Sequence, residues 1–250
     1  MNRHILKYEM KLLLKNYSCI FFGLFFPLIM GFLIILGISS QIPAEYLNET
    51  KKSVLLTINI IAPLSIFLIG HATISAKDME EGVYDRLELF SLNQYAMARY
   101  KFFVYMIFFL ICDAVYFGIM IPVLNIDIII LEILRHTLYV LAICVSSFFI
   151  AYAICLFSKK YSIAFGISMG LYFIVMILSG MMGVQVDDMP QPVKAIAQTL
   201  PTSHFSSVEY LDEVLKGTVN FTFIQGLLTM VLISIILFAL SVRKNKRKVN

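Results

Sequence analysis

Asp113 is the acid placed most deeply in the chain. It sits near the middle of the apolar run 102–124, and no other run of span length carries an Asp, Glu, Lys or Arg within the bounds given below. A charge at that depth in lipid is costly, so Asp113 must face protein or a wet cavity, or be protonated. It therefore serves either as a structural hydrogen-bond acceptor or as a group in a substrate or conformational pathway. His71 lies near the end of another apolar run, where packing is a commoner role than ligation. Glu132 precedes Arg135 and His136 by three and four residues, so they can share one helical face. A histidine with one carboxylate hints at a metal, but nothing else here has ligand spacing. The four cysteines, Cys19, Cys112, Cys144 and Cys155, all fall in apolar runs without CxxC spacing and read as packing residues.

Enzyme motifs do not fit. There is no GxxxxGK[ST] loop, so this chain cannot bind ATP in that way, and no HExxH. Glu80 and Glu81 are followed by Arg86, but four residues intervene where intramembrane prenyl-type proteases have three. His71 is the sole histidine placed as such an enzyme needs. The absence of Asp-rich metal motifs argues against a lipid-headgroup transferase. The chain reads as a non-enzyme, with no cofactor of its own.

The elements that position these residues are membrane spans. Of 250 residues, 60% are apolar and 14% charged, with mean hydropathy +0.85. A soluble domain carries about 25% charge. The fold class is all-α integral membrane protein with six transmembrane helices. Each run suffices to cross a hydrocarbon core of about 30 Å. The spans fall at about 17–38, 54–76, 102–124, 137–157, 161–182 and 221–242. Residues 1–16 carry Arg3, Lys7, Lys11 and Lys15 at four-residue spacing and form an interfacial amphipathic helix, lysines toward lipid phosphates. Residues 39–53 read as a polar loop, and 125–136 as a short interfacial turn. Ser162, Gly166 and Gly170 form a small-residue stripe that admits a close helix. Residues 243–250 are a basic tail.

Fifteen of the 20 lysines and arginines lie in 1–16, 77–101, 158–160 and the tail. The other five lie in the alternate loops. The positive-inside rule puts both termini and the 77–101 loop in the cytoplasm of a cell-membrane protein. The basic residues flank spans and form no nucleic-acid-binding domain.

The 77–101 loop is a polar insert, KDMEEGVYDRLELFSLNQYAMARYK, read as two short helices outside the lipid. A polar segment of this length faces water or a protein partner. The other long excursion, 183–220, holds Pro190, Pro192 and Pro201 and short helix-like runs.

Laid out in order, the chain resembles the type 2 permease family of ABC exporters over nearly its whole length. Three features carry the likeness. They are the amphipathic helix before the first span, EGVYDRLELFSLNQYAMARYK after the second, and Ser179–Gly180, Pro190 and Pro201 between the fifth and sixth. The family often has Pro where Leu92 or Asn93 stands. The resemblance implies the transmembrane half of an ATP-driven exporter. Two permeases pair, alike or different, and each docks a separate subunit that holds ATP and Mg. It implies a coupling helix within 77–101, with Glu81, Asp85, Arg86, Leu87, Glu88, Leu89, Phe90 and Leu92 at the ATPase. It also implies re-entrant helices in 183–220, with Ser179, Gly180, Pro190 and Pro201 at an outer gate. Spans rich in Phe, Tyr and Met suit a hydrophobic or amphipathic cargo: a peptide, drug or lipid-linked molecule. The alternative is a gradient-driven carrier or channel that uses Asp113 and no ATPase.

Overall fold

The computed structural model describes residues 3–89, 92, 94–181 and 186–246. All regular elements among them are helical, and six helices are long and apolar enough to cross a membrane. In order they are α1 (Arg3–Leu14), α2 (Tyr17–Ser39), α3 (Ala44–Glu80), α4 (Val83–Leu89), α5 (Gln94–Leu124), α6 (Ile130–Ser158), α7 (Tyr161–Leu178), α8 (Gln191–Thr199), α9 (Pro201–His204), α10 (Val208–Lys216) and α11 (Phe221–Lys246). The spans are α2, α3, α5, α6, α7 and α11.

Local chemistry sets the helix ends. The Asn16 side chain accepts the Cys19 N–H at 3.2 Å and opens α2. Ser207 does the same for α10, accepting the Tyr210 N–H at 3.1 Å. Gly82 and Gly217 have φ of +66° and +71°, a conformation that glycine adopts without a Cβ penalty. One ends the turn after α3, and the other caps α10.

Three stretches differ from the sequence reading. Of the two short helices expected in 77–101, α4 is one, while 94–101 is the first part of the long α5 and 77–80 the last turn of α3. Residues 39–53 are not a loop throughout, because Pro43 starts a helix at Ala44 that continues to Glu80. Glu45 in its first turn suits the helix dipole. The resulting 37 residues span about 55 Å, well beyond the hydrocarbon core. The 125–136 stretch is mostly the start of α6. Glu132 Oε2 accepts the Ile129 N–H at 3.1 Å, so this acid caps its own helix.

Two spans contain wide π-helical turns, at Phe21–Phe25 in α2 and Leu64–His71 in α3. Each lies beside a proline, Pro27 or Pro63, whose missing N–H disturbs the regular ladder. The wide stretches pack together reciprocally. A Cβ on Gly23 would meet Ile66 at 2.5 Å, and one on Gly70 would meet Cys19 Sγ at 2.6 Å. Bare backbone at both positions is what lets α2 and α3 approach so closely.

The bundle is built around α3. Its most apolar window is 89% buried, against 28% in α2, 22% in α7 and 17% in α11. The outer helices leave apolar faces open. Inside, His71 stacks on Phe148 at 4.3 Å, with Tyr105 and Tyr152 around it. It packs among these rings, and Ser75 Oγ lies 2.9 Å from its Nδ1.

Candidate functional site

Three polar constellations lie along the bundle, one at each end and one between. At the end bearing α1, Lys101 is fully buried with two acids. Its Nζ lies 2.7 Å from Asp78 Oδ2 and 3.0 Å from Glu9 Oε2. Asp78 is on the last turns of α3, Lys101 is in α5, and Glu9 comes from α1. One cation therefore ties α1 to both roots of the 77–101 excursion. Burial pushes the Glu9 carboxyl above the ordinary glutamate range, and the Lys101 ammonium pulls the other way. Sequence reasoning passed over Glu9. The signal was available, because Leu6 and Leu13, three before and four after it, put it on the apolar stripe of α1.

From this base stands α4. Asp85, Arg86, Glu88 and Leu89 are exposed, Leu89 by 84%, while Leu87 and Leu92 are half-buried. Tyr84 faces inward, and burial pushes its phenol well above its ordinary value. Glu81 pairs with Lys77 at 3.8 Å, and its backbone carbonyl accepts from Arg86 at 3.2 Å. The neighbouring Glu80 Oε2 accepts the Tyr161 N–H at 2.8 Å, so it caps α7. Phe90 lies outside the described residues, as does Asn93.

Midway, Asp113 is buried and both of its oxygens are taken. Asn59 Nδ2 donates to Oδ1 at 2.9 Å, and Thr137 Oγ1 to Oδ2 at 2.9 Å. Asn59 Oδ1 lies 3.1 Å from His136 Nε2, and His136 Nδ1 lies 2.6 Å from the Tyr210 hydroxyl. Glu132, Arg135 and His136 do not act together. Glu132 pairs with Lys52 at 3.4 Å, while Arg135 donates to the Val214 and Leu215 carbonyls at 2.9 and 3.3 Å.

At the far end, α8–α10 fold over the bundle. Ser179 Oγ donates to Thr202 Oγ1 at 2.6 Å, and Ser206 Oγ to the Ser179 carbonyl at 2.9 Å. Thr57 Oγ1 donates to the Phe205 carbonyl at 3.0 Å, which fastens the fold-over to α3. Beside it is a cavity of about 900 Å³. Gly180 and Pro201 are in its wall with Ser203, Ser207 and Phe223. Ser179 is fully buried behind it, and Pro190 sits apart as the N-cap of α8. The structure thus brings Ser179, Gly180 and Pro201 into one region and leaves Pro190 at its edge.

One motif escaped the sequence reading. Gly166-Ile167-Ser168-Met169-Gly170 spells GxSxG. A nucleophile needs that motif on a sharp strand-to-helix turn. Here it is mid-helix in α7, with Ser168 fully buried. It is no catalytic elbow. Its glycines face open space, with no atom within 4 Å of a Cβ built on either. Among the described residues there is no cluster of His, Cys, Asp and Glu fit to hold a metal.

The sequence profile of the ABC-2 family transporter proteins matches residues 47–243. No curated protein matches the chain.

Proposed function

Since this chain belongs to the ABC-2 transporter family, a family of multi-pass membrane permeases that work with an ATP-binding subunit, we propose that it is the membrane half of an ATP-driven exporter. It moves a hydrophobic or amphipathic molecule, such as a peptide, drug or lipid-linked compound, out of the cytoplasm. ATP and Mg reside on a separate subunit. Both termini and α4 face the cytoplasm of the cell membrane, α1 lies among lipid headgroups, and α8–α10 with the cavity face outward as the gate.

The observation that carries this reading is the setting of α4. A short helix with charged residues outward and Leu89 exposed stands on a base held by Lys101. A docking element needs this: an apolar anchor ringed by charges that fix register, on a support that does not yield. Leu87, Leu89, Phe90 and Leu92 are the anchors, and Glu81, Asp85, Arg86 and Glu88 set partner choice. The open face of α7 at Gly166 and Gly170 suits a close helix from a second permease subunit. The saturation of Asp113 by Asn59 and Thr137 supports a structural role for it and disfavours a gradient-driven carrier.

The test is co-purification. Leu87→Ala with Leu89→Ala should leave membrane insertion and permease pairing intact. It should weaken recovery of the ATP-binding subunit at least tenfold and abolish transport, while the isolated ATPase keeps its turnover. Unchanged recovery and transport would remove α4 from the docking role.

A further inference from the structure

The bonds from Asp113 to Tyr210 have one consistent direction. Asp113 accepts at both oxygens, from the Asn59 amide N–H₂ and the Thr137 hydroxyl, which is the pattern of an ionised carboxylate. That leaves Asn59 Oδ1 facing His136, so His136 Nε2 must carry a proton. The ring nitrogens of His136 meet only Asn59 and Tyr210, neither of them an acid, and the ring is fully buried. A neutral imidazole is the form that burial favours. Its Nδ1 is then an acceptor, and the Tyr210 hydroxyl must donate to it. Thr137 donates from the other side and completes the carboxylate.

We infer that Tyr210, His136, Asn59 and Asp113 form a one-way hydrogen-bond chain that latches α10 to the spans and sets the wall of the cavity beside it. The link to the cavity is direct. Ser207 lines the cavity and also caps α10 by accepting the Tyr210 N–H. A shift of Tyr210 therefore carries Ser207 with it. The chain joins residues 59, 113, 136 and 210, from four helices, and ends at the Tyr210 hydroxyl, the bond whose loss would free α10. This reading concerns the same region as the gate proposed above, but it needs neither an ATPase nor a known cargo to be tested.

Two measurements test it. In the first, solid-state ¹⁵N spectra of histidine-labelled protein, assigned by the signal lost in His136→Gln, should show His136 protonated at Nε2 and bare at Nδ1. An Nδ1–H tautomer or an imidazolium would overturn the chain. In the second, a cysteine at Ser203, half-buried in the cavity wall, is labelled by a water-soluble maleimide in nanodiscs. Both faces of the protein are reachable there, so a wrong orientation cannot mimic a failed latch. Tyr210→Phe should speed labelling about tenfold, as expected for the loss of one buried hydrogen bond. Tyr139→Phe, which alters a ring packed on Tyr210 outside the chain, should leave the rate unchanged. Equal rates with and without the Tyr210 hydroxyl would sink the latch. The tautomer measurement does not use Tyr210→Phe, so it decides the chain even where that variant fails to fold.

Discussion

The Lys101 ammonium lies 2.7 Å from the Asp78 carboxylate although the two are 23 positions apart in the chain. The residues between them make up the polar excursion that carries α4. Its two roots are joined by an ion pair sealed from water, and Glu9 joins the same cation from α1. With two carboxylates and one ammonium, the cation is the member that cannot be removed. Lys101→Met should destabilise the protein by about 3–5 kcal/mol, because it leaves buried carboxylates without a counter-charge. A thermal melt with a thiol-reactive dye suits this, since all four cysteines are buried in the fold.

Glu9→Gln should act in the opposite sense. Burial raises the Glu9 pKa, so the folded protein holds that proton more tightly than the unfolded chain does. The penalty for ionised Glu9 is therefore absent below the ordinary glutamate range and grows as pH rises through the raised value. The variant should melt above the parent at pH 8, and the gap should narrow toward pH 5. A gap that widens on acidification would show that the charged form is the one the fold prefers.

Asp113→Leu should lower folded yield and transport together. It strands the Asn59 amide and the Thr137 hydroxyl, at about 1–3 kcal/mol each. Asp113→Asn should be milder, since its oxygen can still accept from Asn59 while Thr137 turns away. Full yield and full transport in Asp113→Leu would mean that the acid is a tolerated edge group.

Sidedness is open to direct labelling. Glu49 and Glu88 are both exposed, at opposite ends of the bundle. In intact cells, a cysteine at Glu49 should react with an impermeant maleimide and one at Glu88 should not. The reverse pattern would invert the orientation drawn from the lysine and arginine distribution.

Gly70→Ala should cost about 1–3 kcal/mol by overpacking against Cys19, and Cys19→Ala should recover part of that loss. A double-mutant cycle measured by melting checks the pair. Additive losses would show that the two residues do not touch in the folded protein.

The six spans were legible because apolar composition and length alone require them. Asp113 was legible too, since one acid in an apolar run stands out. Its partners were not. Asn59, Thr137 and His136 look like ordinary polar residues near span ends, and Tyr210 lies in a separate excursion. Only the packing of four helices brings them together. Asp78 and Lys101 were read as charges of a loop facing water or a protein partner, because sequence cannot show that two flanking helices fold those side chains inward. Glu9 was hidden by the lysine stripe that shares its helix. The helix from Ala44 was missed because Glu45, Glu49, Lys51 and Lys52 read as loop polarity. In the structure Lys51 donates to the Leu124 carbonyl, and Lys52 pairs with Glu132.

The wide turns at Leu64–His71 also fix a phase relation. Asn59 lies before them and Asp78 after them on the same long span. A π turn holds one residue more than an α turn, so removing a single residue from that stretch would let a wide turn relax to ordinary α geometry and absorb the loss. Asn59 would still face Asp113, and Asp78 would still face Lys101. Removing one residue from the α-helical stretch between His71 and Asp78 would instead rotate Asp78 by about 100° and swing it off Lys101. The eight wide residues are thus a reserve of length in the central rod, the one place where it can lose a residue and keep its two ends aligned.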